Sequence, residues 1–164
     1  MRWFLCVGVT ALVATSAAAS VATAGPRARA LVSAAHGIEL VARHTEGTFS
    51  GYTTGDLSGG WVAVVDHTPL SPNARITGGT LTIVTTAGGL ASPLSGRFTR
   101  GTITMTDPGA NCTEQAFKVV GRLARFGGNR TGVFSVTLKH WRHELLGTCL
   151  TYFATANGTL TITQ

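Results

Sequence analysis

The sequence has few charged residues, 12% of its 164 positions, and few aromatic residues, 7%. Only two of its basic residues are lysines, against eleven arginines, and they form no run interleaved with aromatic side chains. Proteins that bind nucleic acids usually concentrate positive charge in a patch or stripe, so no nucleic-acid partner is expected. The formal net charge of +6 is scattered along the chain and indicates a solvated basic surface.

Several motifs with a known chemical role are also missing. The chain lacks metal-ligand spacings, a phosphate-binding glycine loop and a nucleophile elbow. The sequence therefore assigns no catalytic residue, no metal and no cofactor, and leaves open whether the protein is an enzyme. No apolar run of the mature chain approaches the roughly 20 residues that span a bilayer, so no transmembrane segment is predicted. The oligomeric state is also left open.

Residues 1–24 have the features of a secretory signal peptide that is cleaved. Arg2 precedes an apolar run of about ten residues, and the segment ends in the small residues Ala22-Thr23-Ala24. The mature protein is therefore expected to be secreted or extracytoplasmic. Loss of Arg2 lowers the formal charge from +6 to +5. The excess of arginine over lysine, with abundant alanine and glycine, is typical of a bacterium with a high-GC genome.

The rest of the chain is predicted to be a single all-β domain. Residues 25–36 lack periodicity and are expected to form a flexible leader before a β-barrel domain over 37–164. In that domain, alternating or apolar runs recur between glycine-rich breaks, and helix candidates are scarce. This pattern favours a small antiparallel β-barrel of about eight strands, with a β-sandwich as the alternative. The strands are expected near Ile38–Thr45, Gly47–Thr54, Trp61–Asp66, Thr80–Thr86, Gly96–Thr106, Glu114–Phe126, Gly132–Leu145 and Thr148–Thr163.

A short pattern of glycine, threonine and aliphatic residues occurs three times, beginning at Gly79, Gly101 and Gly158. Because side chains alternate between the two faces of a strand, it predicts aliphatic residues inside and threonines outside. The inward residues would be Leu81, Ile83, Ile103, Met105, Leu160 and Ile162. The last strand is expected to be broken or bulged at Asn157-Gly158.

Cys112 and Cys149 bracket two long strand-forming runs joined by a Gly-Gly-Asn turn. Two cysteines in a mature exported chain usually pair, so a disulfide between them is predicted. An ideal hairpin centred on the turn would place Cys112 opposite Leu145, four residues or about 13 Å short of Cys149. The bridge therefore requires a break in the hairpin base, for which Gly109 and Gly147 are the candidates.

The second arm of this hairpin ends in a cluster of polar residues. His140, Arg142 and Glu144 continue the inward face behind Leu138, whereas Trp141 and His143 point outward. An inward face that changes from apolar to ionisable at one end is expected at the mouth of a small barrel. His140, Arg142 and Glu144 are therefore the candidate ligand-binding residues. The structural alternative is a solvated strand end with an Arg–Glu pair.

The segment Gly96-Arg-Phe-Thr-Arg-Gly-Thr-Ile-Thr-Met, the C-terminal Gly-Thr-Leu-Thr-Ile strand and the successive long hairpins resemble the allene oxide cyclase-like and dirigent-like β-barrels. That group includes small secreted bacterial proteins of unknown role. The resemblance implies a closed barrel with an apolar interior and a bound hydrophobic small molecule. The family's catalytic positions find no match in this chain, so the resemblance assigns no active-site residue.

Three functions are compatible with these observations. The first is a secreted barrel that binds a small apolar ligand at the mouth near His140, in an interior of about 300 Å³ or more. The second is a non-enzymatic envelope or interaction module that uses its outer faces or an open sheet edge. The third is an enzyme of the cyclase or isomerase type, which requires His140 or Glu144 to line a cavity with a second ionisable group.

Overall fold

A computed structural model describes residues 30–85 and 92–163, which form eight strands. The strands are β1 (Ala30–Arg43), β2 (Glu46–Gly55), β3 (Gly59–His67), β4 (Ala74–Thr85), β5 (Ser92–Asp107), β6 (Gln115–Phe126), β7 (Arg130–Leu145) and β8 (Thr148–Thr163). Each pairs antiparallel with its neighbours in the sequence, and β8 pairs with β1 to close the barrel. The predicted all-β antiparallel barrel is confirmed, and the alternative of a β-sandwich is wrong.

The barrel begins earlier than the sequence predicts. β1 starts at Ala30 and pairs with β8 from its first residue, Ala30 opposite Thr163, so residues 30–36 are not a flexible leader. The strand was missed because the inward residues of its first half, Ser33 and Ala35, are small and give little hydrophobic contrast. The predicted signal peptide, residues 1–24, and residues 25–29 lie outside the described residues.

Alternating inward residues from all eight strands fill the barrel. In the repeated glycine-threonine pattern, five of the six predicted inward side chains are buried, and Met105 packs against the core while partly buried. The largest fully buried side chains are Trp61, Phe117, Phe126 and Phe134. Phe134 contacts Trp61 and Phe98 edge to face, with ring centroids 5.5 and 6.1 Å apart. Most of the interior is therefore packed core rather than open space.

Trp61 closes the wall where β1 and β2 carry glycines. Gly37 and Gly51 face each other across these strands, and a methyl group added to Gly37 would lie 2.5 Å from the indole ring. The indole Nε1 donates to the backbone oxygens of His36, at 3.2 Å, and Tyr52, at 3.1 Å. Gly37 thus makes room for the indole ring, whereas Gly51 permits close approach of β1 and β2, since a methyl group there would collide with the backbone oxygen of His36.

One end of the barrel is sealed by the turn between β2 and β3. Leu57 in this turn is buried against the core. Its amide donates to the Ser33 hydroxyl at 2.8 Å, and its carbonyl accepts a hydrogen bond from the Thr53 hydroxyl. Both hydroxyl-bearing residues are themselves buried. Leu57 and its two hydrogen bonds therefore cap the core at this end of the described barrel.

The last strand runs without a break through Asn157 and Gly158, both of which pair with β1 and β7. The predicted interruption at this point is therefore wrong. A side chain at Gly158 would collide with the carbonyl of Ser135, so the glycine permits close approach of two strands. The irregularity of β8 lies instead at Tyr152, the extra residue where its pairing with β7 shifts.

The predicted disulfide joins Cys112 to Cys149, with Cα atoms 5.3 Å apart. Cys112 lies in the loop between β5 and β6, and Cys149 lies at the start of β8. β6 stops pairing with β7 at Gln115, while β7 continues and turns at Leu146-Gly147 to bring Cys149 back towards the loop. Gly109 and Gly147 both have positive φ angles, so the predicted breaks at the hairpin base are confirmed.

Candidate functional site

The end of the barrel opposite Leu57 holds a cavity of about 130 Å³. It lies at the end where the β1–β2 turn and the β3–β4 loop are found. Its apolar wall includes Phe49, Val65, Leu70, Ile103, Phe117 and Leu138. Most of these side chains are buried members of the core, so the cavity is a continuation of the packed interior that opens at one end.

A hydrogen bond between two side chains forms the polar wall of this cavity. His140 Nε2 lies 2.7 Å from Glu39 Oε2, and their side chains are only 15% and 8% exposed. A carboxylate accepts hydrogen bonds, so the bonding partner assigns the hydrogen to Nε2. The imidazole ring also packs against Phe117, with ring centroids 5.3 Å apart. Both polar groups are thus held in place beside an apolar surface.

The strand order explains how Glu39 and His140 meet. They lie on β1 and β7, which are separated in the barrel by β8. On β8, the residue opposite His140 is Ala154, and pairing with β1 ends one residue further on, at Thr155. Ala154 points inward and is small, so the longer side chains of Glu39 and His140 reach each other over it.

Further basic groups line the cavity nearer to solvent. His67 and His44 belong to the lining, and the His67 Nδ1 donates to the carbonyl of Thr68 at 2.7 Å. In a neutral ring this leaves Nε2 of His67 as a hydrogen-bond acceptor. Arg43 also lines the cavity, and its guanidinium lies 3.5 Å from the Glu46 carboxylate. An apolar interior thus leads outward to a rim rich in nitrogen atoms.

Arg142 does not belong to the cavity lining, although the sequence placed it beside His140 at the mouth. Its guanidinium turns to the β5–β6 loop and donates to three backbone carbonyls, those of Pro108, Gly109 and Thr113, at 3.2–3.3 Å. The loop carries Cys112, so the arginine and the disulfide hold the same segment. The position of Arg142 indicates a structural role.

Glu144 lies even further from the cavity. It is exposed and faces Cys149 in the β7–β8 hairpin, beyond the end of β6. Of the three predicted ligand-binding residues, the structure therefore brings only His140 to the cavity. Within residues 30–85 and 92–163, no three histidine, cysteine or acidic side chains are arranged to hold a metal ion. The same residues include no helix that is long and apolar enough to cross a bilayer.

Glu39 is the site residue that sequence reasoning missed. The sequence predicts that this strand begins at Ile38. The predicted strand therefore leaves out Ser33, Ala35 and Gly37, the positions whose alternation places Glu39 on the inward face. That alternation was the available signal, because these positions share one face of β1. An acidic residue on an inward face indicates a buried partner, and the partner is His140.

No family model, curated protein or solved structure matches the chain.

Proposed function

We propose that the protein is a small-molecule-binding β-barrel that takes the apolar end of its ligand into the cavity beside Glu39 and His140. The observation that carries this proposal is an apolar cavity, open at one end, whose wall contains a pre-formed carboxylate–imidazole pair. Binding sites commonly combine an apolar surface with a few fixed polar groups that orient the ligand. The mouths of β-barrels are frequent locations for them.

The size of the cavity limits what enters it. At about 130 Å³ it is smaller than the interior of about 300 Å³ or more that the sequence-based hypothesis required for a whole apolar ligand. An engineered apolar cavity of roughly 150 Å³ accommodates benzene. The inserted part of the ligand is therefore a single aromatic ring or a short branched alkyl group. The remainder of the ligand lies at the rim.

The rim favours a ligand whose outer end is polar and accepts hydrogen bonds or carries negative charge. Arg43, His44 and His67 line this part of the cavity, and only Glu39 contributes a carboxylate. Since Glu39 is bonded to His140 and the free nitrogen of a neutral His67 accepts hydrogen bonds, Arg43 and His44 are the groups that can donate to an incoming oxygen. A small aromatic or branched-chain acid has this combination of ends.

We also propose that the protein is exported from the cytoplasm. The Cys112–Cys149 disulfide is compatible with an extracytoplasmic location, where such bonds persist. The charged start, the apolar run and the Ala22-Thr23-Ala24 end of residues 1–24 support secretion through a signal peptide. The likeness to allene oxide cyclase-like and dirigent-like barrels supports a hydrophobic ligand, on the strength of the short strand motifs already described.

Native mass spectrometry of the protein exported by its own host tests the proposal. We expect a bound small molecule that is released on denaturation. Val65→Phe fills the cavity and should remove this mass, whereas Val62→Phe, on the outer face of the same strand, should retain it. No bound molecule in the wild-type protein, or equal occupancy in both variants, would contradict the proposal.

A second candidate function is an acid–base enzyme that acts on the bound ligand. The 2.7 Å contact between His140 and Glu39 favours it, because a histidine oriented by a carboxylate is a common general acid or base. Conversion of the molecule identified by mass spectrometry, lost in His140→Ala while binding persists, would support this function. Unchanged turnover in that variant would exclude His140 from the chemistry.

A further inference from the structure

The basic residues that are scattered in the sequence gather on one side of the barrel. β4, β5 and β6 contain six of the 13 lysines and arginines but one of the seven acidic residues, Asp107 at the end of β5. The other described residues carry four basic and six acidic side chains. The positive charge of the barrel therefore belongs to three adjacent strands.

Strand register aligns five of these side chains on the outer surface. We call them the basic strip: Arg75, Arg97, Arg100, Lys118 and Arg122. Arg100 stands directly opposite Arg122, Arg75 is opposite Thr102, and Thr102 is opposite Val120. Their inward neighbours Ile76, Phe98 and Leu123 are buried, which confirms that the basic residues point outward. Along β6, the six residue steps from Lys118 to Ala124, which is opposite Arg97, span about 20 Å.

Among the described residues, the strip has no acidic partner. In the described part of the chain, none of its five cations has a carboxylate within ion-pair distance. Like charges placed directly opposite on neighbouring strands destabilise a sheet, and Arg100 and Arg122 are such a pair. Arg75, Arg100 and Arg122 also line one shallow surface depression of about 350 Å³. An anionic partner seated there would relieve their repulsion.

The side chains between the cations indicate which polyanion fits. Exposed threonines, including Thr102 and Thr104, lie between the basic side chains and offer hydroxyl groups to a hydroxyl-rich partner. The aromatic side chains of β4–β6 are all buried, so the strip has no ring on which a nucleic-acid base can stack. We infer that the basic strip binds an acidic polysaccharide, a chain of sugars that carries sulfate or carboxylate groups.

This inference is independent of the cavity, which opens at the end of the barrel rather than on its side. Binding should weaken with salt, because it depends on exposed charges and on the release of counterions. The slope of log affinity against log salt should fall as cations are removed from the strip. Neutral polysaccharide should not bind, since its hydroxyl groups alone do not replace the anionic contacts.

Fluorescence anisotropy with labelled dextran sulfate, and neutral dextran as the reference, tests the inference. Arg100→Gln combined with Arg122→Gln should weaken binding about tenfold. The control Arg130→Glu changes the net charge by the same two units at the β6–β7 turn, outside the strip, and should weaken binding less than twofold. Equal weakening in both variants would show attraction to overall charge alone and overturn the inference.

Two further measurements keep the result interpretable. The thermal midpoint of the Arg100→Gln/Arg122→Gln variant should equal or exceed that of the wild type, because a repulsive pair has been removed. If the glutamine variant has a lower midpoint and does not bind, the variant Arg100→Lys/Arg122→Lys shows whether charge is the cause. Binding by the lysine variant supports the role of the charges, and failure of the lysine variant to bind overturns the inference. Single-stranded DNA of matched charge that binds as tightly as dextran sulfate would overturn the assignment to a polysaccharide.

Discussion

Glu39 on β1 and His140 on β7 are in contact at 2.7 Å although β8 lies between their strands. This pair links two non-neighbouring strands at the open end of the barrel, beyond the last pairing of β1 with β8. It therefore replaces, with two side chains, the backbone hydrogen bonds that close the rest of the wall. The stability of the Glu39–His140 pair and the shape of the cavity should therefore depend on each other.

Glu39→Gln and His140→Ala should each lower the free energy of unfolding by about 1–3 kcal/mol, because each leaves a largely buried polar partner without its charged hydrogen bond. A double-mutant cycle followed by urea denaturation measures the coupling between them. The Arg43–Glu46 pair, at 3.5 Å and more exposed than the first pair, is the control and should show a coupling of about 0.5 kcal/mol or less. Equal coupling energies in the two pairs would contradict the expectation that burial strengthens the interaction between Glu39 and His140.

Arg142→Lys should destabilise the β5–β6 loop without affecting the cavity. Lysine cannot reproduce the planar fork with which the guanidinium reaches three carbonyl oxygens, so we expect a loss of about 1–2 kcal/mol. Amide hydrogen exchange of residues 109–114 should become faster. Loss of ligand with unchanged loop protection would instead restore the sequence-based view of Arg142 as a binding residue.

Replacement of Cys112 and Cys149 by serine should lower the free energy of unfolding by at most about 4 kcal/mol, the chain-entropy value for a loop of this length. The sequence separation is 37 residues. The intact wild-type protein should also be lighter by two hydrogens than its reduced form in mass spectrometry. No mass change on reduction would contradict the disulfide, and chemical reduction should destabilise the wild type but not the double-serine variant.

Gly37→Ala should destabilise the barrel by about 1–3 kcal/mol through overpacking, since the added methyl group would meet the Trp61 ring at 2.5 Å and the backbone oxygen of Ser50 at 2.6 Å. Gly60→Ala is the matched control in the neighbouring part of the sheet. There the added group meets only the Gly51 carbonyl oxygen, at 3.9 Å, so stability should change little. Thermal unfolding of both variants measures the difference. Equally small losses of stability in the two variants would contradict overpacking at Gly37, because the neighbouring groups would then move aside without a loss of stability.

Most of the fold could be predicted because strand alternation and glycine-rich turns are local signals. The inward faces of β6 and β7, with Phe117, Val119, Phe134 and Val136, follow directly from the period of two. The register of this hairpin differs by two residues from that of the ideal hairpin: Phe117 faces Leu138 rather than His140. The bulge at Ala124-Arg125, which adds one residue to β6, contributes to this difference. The positive φ of Arg125 in this bulge leaves no clear mark in the sequence.

The candidate site was less predictable because it depends on partners from distant parts of the chain. The face of His140 followed from alternation, but Glu39, 101 residues away, is brought to it by barrel closure. Arg142 also kept its expected place on β7, yet the conformation of the loop it contacts, with positive φ at Asn111 and Cys112, could not be inferred. The alignment of Arg100 with Arg122 required the register of β5 and β6.

Barrel closure also has a consequence for folding. The first and last strands, β1 and β8, pair with each other, with Leu31 opposite Ile162. The wall is therefore closed only when these two strands have met. Such a distant contact makes folding slow relative to the formation of the individual hairpins. Until β8 docks, β1 and β7 present open edges that favour association between chains. The closing strand therefore protects the newly made protein from aggregation as well as completing the pocket wall.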